Sequence, residues 1–153
     1  MKSRWSDNVI QGLDALELRV HTSRLIGTEP SLVLHGGGNT SVKIDRVDHR
    51  HQPCRALAIK GSGSDLQTIS IKDFAQLRLE HLTDVRSYTD MADSEMVAYL
   101  ERSMLDGQTP RPSVETLLHA FLPHDWVDHS HADAVLALTN QPNGHDLIET
   151  IYG

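Results

Sequence analysis

The sequence predicts a layered α/β fold, and three observations carry that reading. Short apolar runs of strand length alternate with stretches whose apolar residues recur at helical spacing. Two of the strands run directly into glycine-rich loops, Gly36-Gly37-Gly38-Asn39 and Gly61-Ser62-Gly63-Ser64. No internal repeat and no low-complexity linker interrupts the order. At 153 residues, 39% of them hydrophobic, the chain has the length of one domain and enough apolar material for a core.

The elements follow in order. From Ser6 to Ile26, Val9, Ile10, Leu13, Leu16, Val20 and Ile26 recur with charges between them, which predicts one amphipathic helix stopped by Gly27. Ser31 to Leu34 reads as a short strand feeding the first glycine loop. Thr40 to Ile44 alternates and reads as a second strand. The polar residues 45–53 form a hairpin-like connection, and Arg55 to Lys60 is a third strand. Helices are expected near Lys72 to His81 and from Ser94 to Leu105, with a breaker at Gly107 to Pro112. Another helix covers Ser113 to Leu122 and is stopped by Pro123. Trp126 to His131 is a strand, Asp133 to Leu138 a helix. The last residues, from Leu147 to Gly153, offer no closing element, so the chain reads as stopping inside a domain.

Composition excludes several classes. A net charge of −7 leaves no basic stripe for a nucleic-acid backbone. No run reaches membrane-spanning length and the N-terminus lacks the apolar segment of a secretory signal. Cys54 is the single cysteine, so no internal disulfide can form and a cytoplasmic setting is expected.

The chemistry concentrates in Trp126-Val127-Asp128-His129-Ser130-His131. In an extended strand, side chains at i and i+2 leave one face, so His129 and His131 can reach a common point. Two convergent neutral imidazoles begin a divalent metal site, with zinc the best fit, but a catalytic zinc needs a third protein ligand. Glu115 on the preceding helix would supply a ligand or a proton-transfer group. Alternatively it complements a helix dipole while Ser113 caps. His119, one turn on, is open between ligation and packing. The triple glycine fits neither a Walker loop nor G-x-G-x-x-G. Its exposed N–H groups still suit an anion nest, with Asn39 and Ser41 as further donors. Lys60-Gly61-Ser62-Gly63 ends the next strand in the same style, so two loops could flank one phosphate. Lys60 itself reads more simply as solvated.

The order Gly-Gly-Asn-Thr-Ser, Lys-Gly-Ser-Gly, Pro-Ser-x-Glu-x-x-x-His, His-x-His resembles the class II aldolase/adducin head family over nearly the whole chain. The longer phrases from Ser31 to Lys43, Pro112 to Pro123 and Val127 to Ala134 are similar to the N-terminal part of bacterial proteins joining rhamnulose-1-phosphate aldolase to a short-chain dehydrogenase. The resemblance implies a three-layer α/β/α fold about a mixed or largely antiparallel sheet, truncated at its C-terminus, with residues 1–153 forming the N-terminal part of one domain. It implies a zinc-dependent lyase cleaving a ketose 1-phosphate, with L-rhamnulose 1-phosphate the expected substrate, in rhamnose catabolism. His129, His131 and Glu115 then match metal-site positions, with Glu115 also the acid/base. Gly38, Asn39, Ser41, Gly61, Ser62, Gly63 and Ser113 match positions that hold the sugar phosphate. The family's third zinc histidine lies downstream of the His-x-His strand and has no match here. NAD would enter only with a dehydrogenase portion, which this sequence does not contain. The expected partners are the phosphorylated sugar and further copies of the chain in a homotetramer, with no nucleic acid and no membrane. A pentulose-5-phosphate 4-epimerase, a non-catalytic adducin-like head and an inactive fragment are the alternatives.

Overall fold

A computed structural model describes residues 3–88 and 90–153. Asp7–Ile10 (α1) and Ala15–Gly27 (α2) occupy the stretch expected as one helix. The break has a local cause. Gly12 has φ of +81°, and Asp14 restarts the chain with a capping box, its side chain accepting from Leu16 and Glu17 N–H at 2.8 Å each. Gly27 is the last residue of α2 rather than its stop. An added Cβ there would lie 2.2 Å from Gln67 N, so glycine is required by close approach of another backbone.

Ser31 to Leu34, expected as a strand, is turn and irregular backbone, held by Leu32 N–H to Glu29 O and by His131 N–H to Leu32 O. Asn39–Val47 (β1) and Pro53–Lys60 (β2) form an antiparallel hairpin longer than predicted. Its turn is organised by Asp48, whose carboxylate accepts from Arg50 and Gln52 N–H. The expected helix near Lys72 to His81 is mostly a strand, Phe74–Arg78 (β3), followed by Leu79–Asp84 (α3). Phe74, Ala75 and Leu77 are fully buried against both faces of a sheet, and pairing with β2 overrides the local helical spacing. Asp93–Arg102 (α4) and Thr116–Phe121 (α5) follow, the second starting three residues later than expected. Trp126–His129 (β4), Asp133–Thr139 (α6) and Gly144–Tyr152 (α7) complete the order. The terminal residues, expected to lack a closing element, are therefore α7.

The sheet order is β3-β2-β1-β4, antiparallel throughout. Alternation along the strands builds two cores. Val42, Ile44, Ala56, Ala58 and Phe74 pack with Leu16 and Val20 of α2 on one face. Leu57, Ile59, Ala75 and Leu77 pack with Leu82, Leu100 and Ala120 of α3, α4 and α5 on the other. This is the expected three-layer α/β/α arrangement. Among the described residues no helix is long and apolar enough to cross a membrane.

Candidate metal centre and its surroundings

Strand register decides which side chains meet. In the β1–β4 pair Asn39 faces His129 and Ser41 faces Val127, so Asn39, Ser41 and His129 leave the sheet on the same side. That side is covered by α5, which carries His119, while Glu115 is its N-cap residue. Ligand atoms of Glu115, His119 and His129 all lie within 4.8 Å of one another.

The atoms at this meeting point have the character of cation donors. His129 Nδ1 lies 3.0 Å from Glu115 Oε1, yet it is buried and not hydrogen-bonded. His119 Nε2 is likewise buried without a partner. An unpaired buried nitrogen is costly unless something absent from the bare protein completes it. His119 Nδ1 is 2.8 Å from Ser41 Oγ, which fixes the ring and leaves Nε2 toward the group. Burial lowers the His119 pKa from 6.5 to about 4, with neighbouring His129 and Arg19 pushing the same way against Glu115 and Asp128. The imidazole is therefore neutral at physiological pH, the form that ligates. Two imidazoles and a carboxylate are a donor set suited to zinc.

His131 lies just past the end of β4, so strand alternation alone does not place it. Its ring centroid is 4.9 Å from that of His129, and it is exposed and outside the close group. It rests on the glycine loop, where a Cβ at Gly37 would stand 3.2 Å from His131 Nδ1. His119, left open by the sequence, is fully buried inside the group.

The glycine loop is shaped by this packing. Gly38 has φ of +70°, and a Cβ there would lie 2.6 Å from Val33 Cγ1 and 2.9 Å from His129 O. Asn39 is 1% exposed and its Oδ1 has no hydrogen-bond partner. Ser41, expected to contact phosphate, is fully buried and spent on His119 instead. The second loop lies alongside, with a Cβ at Gly36 standing 4.0 Å from Ser64 O.

Parts of the expected anion nest are already used internally. Gly37 N–H donates to Leu34 O, Gly61 N–H to Asp73 O and Ser62 N–H to Arg111 O. Ser62 and Gly63 are exposed, and Ser113 Oγ accepts from Glu115 N–H at 3.2 Å, which leaves its own O–H to donate. Lys60, expected to be solvated, is only 4% exposed and its Nζ reaches Gly36 O at 3.2 Å. Burial lowers its pKa, while Glu115 and Asp65 act in the opposite direction. The signal that pointed to it was its place at the end of a strand, immediately before a glycine loop.

A three-layer α/β/α fold with histidines and a glutamate beside paired glycine loops is the architecture of a class II aldolase-like domain. The chain belongs to the class II aldolase and adducin N-terminal domain family, which it matches over residues 17–152. It is similar to the N-terminal class II aldolase domain of a conserved protein from Thermoplasma acidophilum, with a TM-score of 0.90 and 44% identity over 100% of this chain and 70% of that one. It is also 42% identical over 154 residues to a Bacillus subtilis (strain 168) protein named uncharacterized oxidoreductase YuxG. That match covers 100% of this chain and 22% of the Bacillus protein, so the chain spans about a fifth of that relative's length.

Proposed function

We propose that this domain is the aldolase part of a zinc-dependent lyase that splits a ketose 1-phosphate into dihydroxyacetone phosphate and an aldehyde. L-Rhamnulose 1-phosphate, giving L-lactaldehyde, is the substrate we assign. The observation that carries the reading is the meeting of Glu115, His119 and His129, with two buried imidazole nitrogens that make no hydrogen bond.

Glu115, His119 and His129 are the residues that would hold the ion, with the exposed imidazole of His131 beside them. When bound, zinc would supply Lewis acidity to oxygens beside the bond that breaks. In retro-aldol cleavage the hydroxyl on one side of the bond loses its proton to the Glu115 carboxylate, and its carbon becomes the aldehyde carbonyl. The electron pair of the broken carbon–carbon bond passes to the ketone fragment as an enediolate. Glu115, as the carboxylic acid, returns a proton to that carbon and completes dihydroxyacetone phosphate. Gly38, Asn39, Gly61, Ser62, Gly63 and Ser113 surround the phosphate in this reading, and the buried ammonium of Lys60 supplies positive charge between the two loops. Holding the remote phosphate fixes the reacting carbon, which converts binding energy into rate. The oxidoreductase name and greater length of the Bacillus relative support a longer protein in which a dehydrogenase uses NAD and consumes the aldehyde. We assign the assembled protein a homotetrameric form.

The test is metal content and aldol cleavage of the full-length protein. Wild type is expected to retain about one zinc per chain and to release dihydroxyacetone phosphate. Glu115→Gln should hold zinc more weakly and, at saturating zinc, lose at least a hundredfold in kcat, as removal of a general acid does. His129→Ala should lose the zinc as well. Metal content unchanged in His129→Ala would remove the site, and wild-type turnover in Glu115→Gln would remove the proton-transfer role.

A further inference from the structure

We propose that Arg19, on the opposite face of the sheet, is a positioning residue that sets the alignment of the cation donors. This rests on the reading of Glu115, His119 and His129 as a cation site. Arg19 lies on α2 and is 1% exposed. Its guanidinium spans the β1–β4 seam. Nη2 is 2.7 Å from Asp128 Oδ1 on β4, and Nη1 donates to Ser41 O on β1 at 3.3 Å. The same Nη2 donates to Thr22 Oγ1 at 2.6 Å, and the guanidinium carbon stands 5.3 Å from the Trp126 ring centroid. On its own helix, Arg19 O accepts from Ser23 Oγ, which is 2.7 Å from Thr40 Oγ1 on β1.

The two strands it grips are those that place the donors. Asp128 precedes His129 in the chain, so fixing its side chain on one face fixes the rotation of β4 that turns His129 to the other. Ser41 offers its carbonyl to Arg19 and its hydroxyl to His119. A displacement of the Ser41 backbone therefore moves the bond that orients His119. One planar fork thus ties together the backbones behind two of the three donors.

Stability is a weak reason for such a residue. The guanidinium is desolvated, its Nε has no hydrogen-bond partner, and its carboxylate partner is half exposed. A well-packed apolar side chain would serve a core better, whereas a rigid guanidinium fork specifies geometry. Lysine keeps the charge but cannot bridge both strands with one planar group.

The experiment titrates metal-stripped protein with cobalt(II), read by visible absorption, and then with zinc in competition. It compares wild type, Arg19→Lys, Asp128→Asn and the distant core variant Ile44→Val, all at a temperature where circular dichroism shows them folded. Arg19→Lys is expected to weaken cation affinity by about tenfold to a hundredfold, the usual effect of disturbing groups behind metal ligands, and to shift the cobalt spectrum. Asp128→Asn should act in the same direction but less, and it carries the test if Arg19→Lys does not fold, because its side chain reaches the surface. Ile44→Val should lose stability while keeping affinity and spectrum. Wild-type affinity and spectrum in Arg19→Lys and Asp128→Asn would overturn the positioning role and leave the cation site standing. Equal loss in Ile44→Val would also overturn it, by showing general loosening. Failure of wild type to bind either ion would instead overturn the site itself.

Discussion

Two buried ring nitrogens without a hydrogen bond, on His119 and His129, state the chemical problem of this domain at its smallest scale. Single residues around them are chosen for shape as much as for charge. Gly38 is the clearest case, since its φ of +70° is unfavourable for any side chain and Val33 and His129 O already fill the Cβ position. Gly38→Ala is expected to destabilise the fold by about 2 kcal/mol or more, from left-handed strain plus overpacking. Urea unfolding would measure this, and the loss should be accompanied by weaker cation binding because the clash falls on the His129 backbone. An unchanged midpoint would show that the loop moves aside freely. The sequence made Glu115, His129 and the glycine loops legible because residue type and spacing carry their chemistry. It could not separate a ligating His119 from a packing one, or a solvated Lys60 from a buried one. Those distinctions depend on what lies across the sheet.

Elements differ in how far local signals determine them. The start of α2 is a local matter, with Asp14 and Glu17 capping each other's backbone. Asp14→Ala should cost about 1 kcal/mol, read as a lowered thermal midpoint, as for other N-cap deletions. An effect within error would mean that packing of Leu16 and Val20 alone holds the helix end. β3 is the opposite case. Its residues 74–78 sit in a stretch with helical spacing, but they pair along β2 and bury Phe74, Ala75 and Leu77 completely. Pairing partners distant in sequence therefore decided its state. Ser31 to Leu34 failed in the reverse direction, because its carbonyls meet the segment just after β4 in only two bonds, Leu32 O from His131 N–H and Ser31 O from Asp133 N–H, and no ladder extends from them.

For the molecule as a whole, charge acts mainly through a few buried or well-bonded groups. Asp48 closes the β1–β2 turn and takes hydrogen bonds from Gln52 and Arg50 N–H and from the Arg78 guanidinium at 2.6 Å. Led by the Gln52 bond, these lower its pKa from 3.8 to about 2. A carboxylate depressed on folding contributes stability that is complete above its unfolded pKa and is lost as pH falls through the folded one. The contribution of Asp48 should therefore be constant above about pH 4 and disappear toward pH 2. Urea midpoints measured across that range should fall less steeply for Asp48→Asn than for wild type. Parallel curves would show that the carboxylate is equally bonded in the unfolded chain.

By itself the sequence determined the α/β class, the hairpin of β1 and β2, the loops that end them and the residue types able to hold a divalent ion and a phosphate. These follow from periodicity, glycine placement and side-chain chemistry, all of which act over a few residues. Tertiary structure alone decided that β3 is a strand, that Ser41 serves His119, that Lys60 is buried and that Arg19 reaches both strands behind the donors. Each of those outcomes depends on β-sheet register and on helices closing over its two faces. Such contacts join residues tens of positions apart, and no local pattern encodes them.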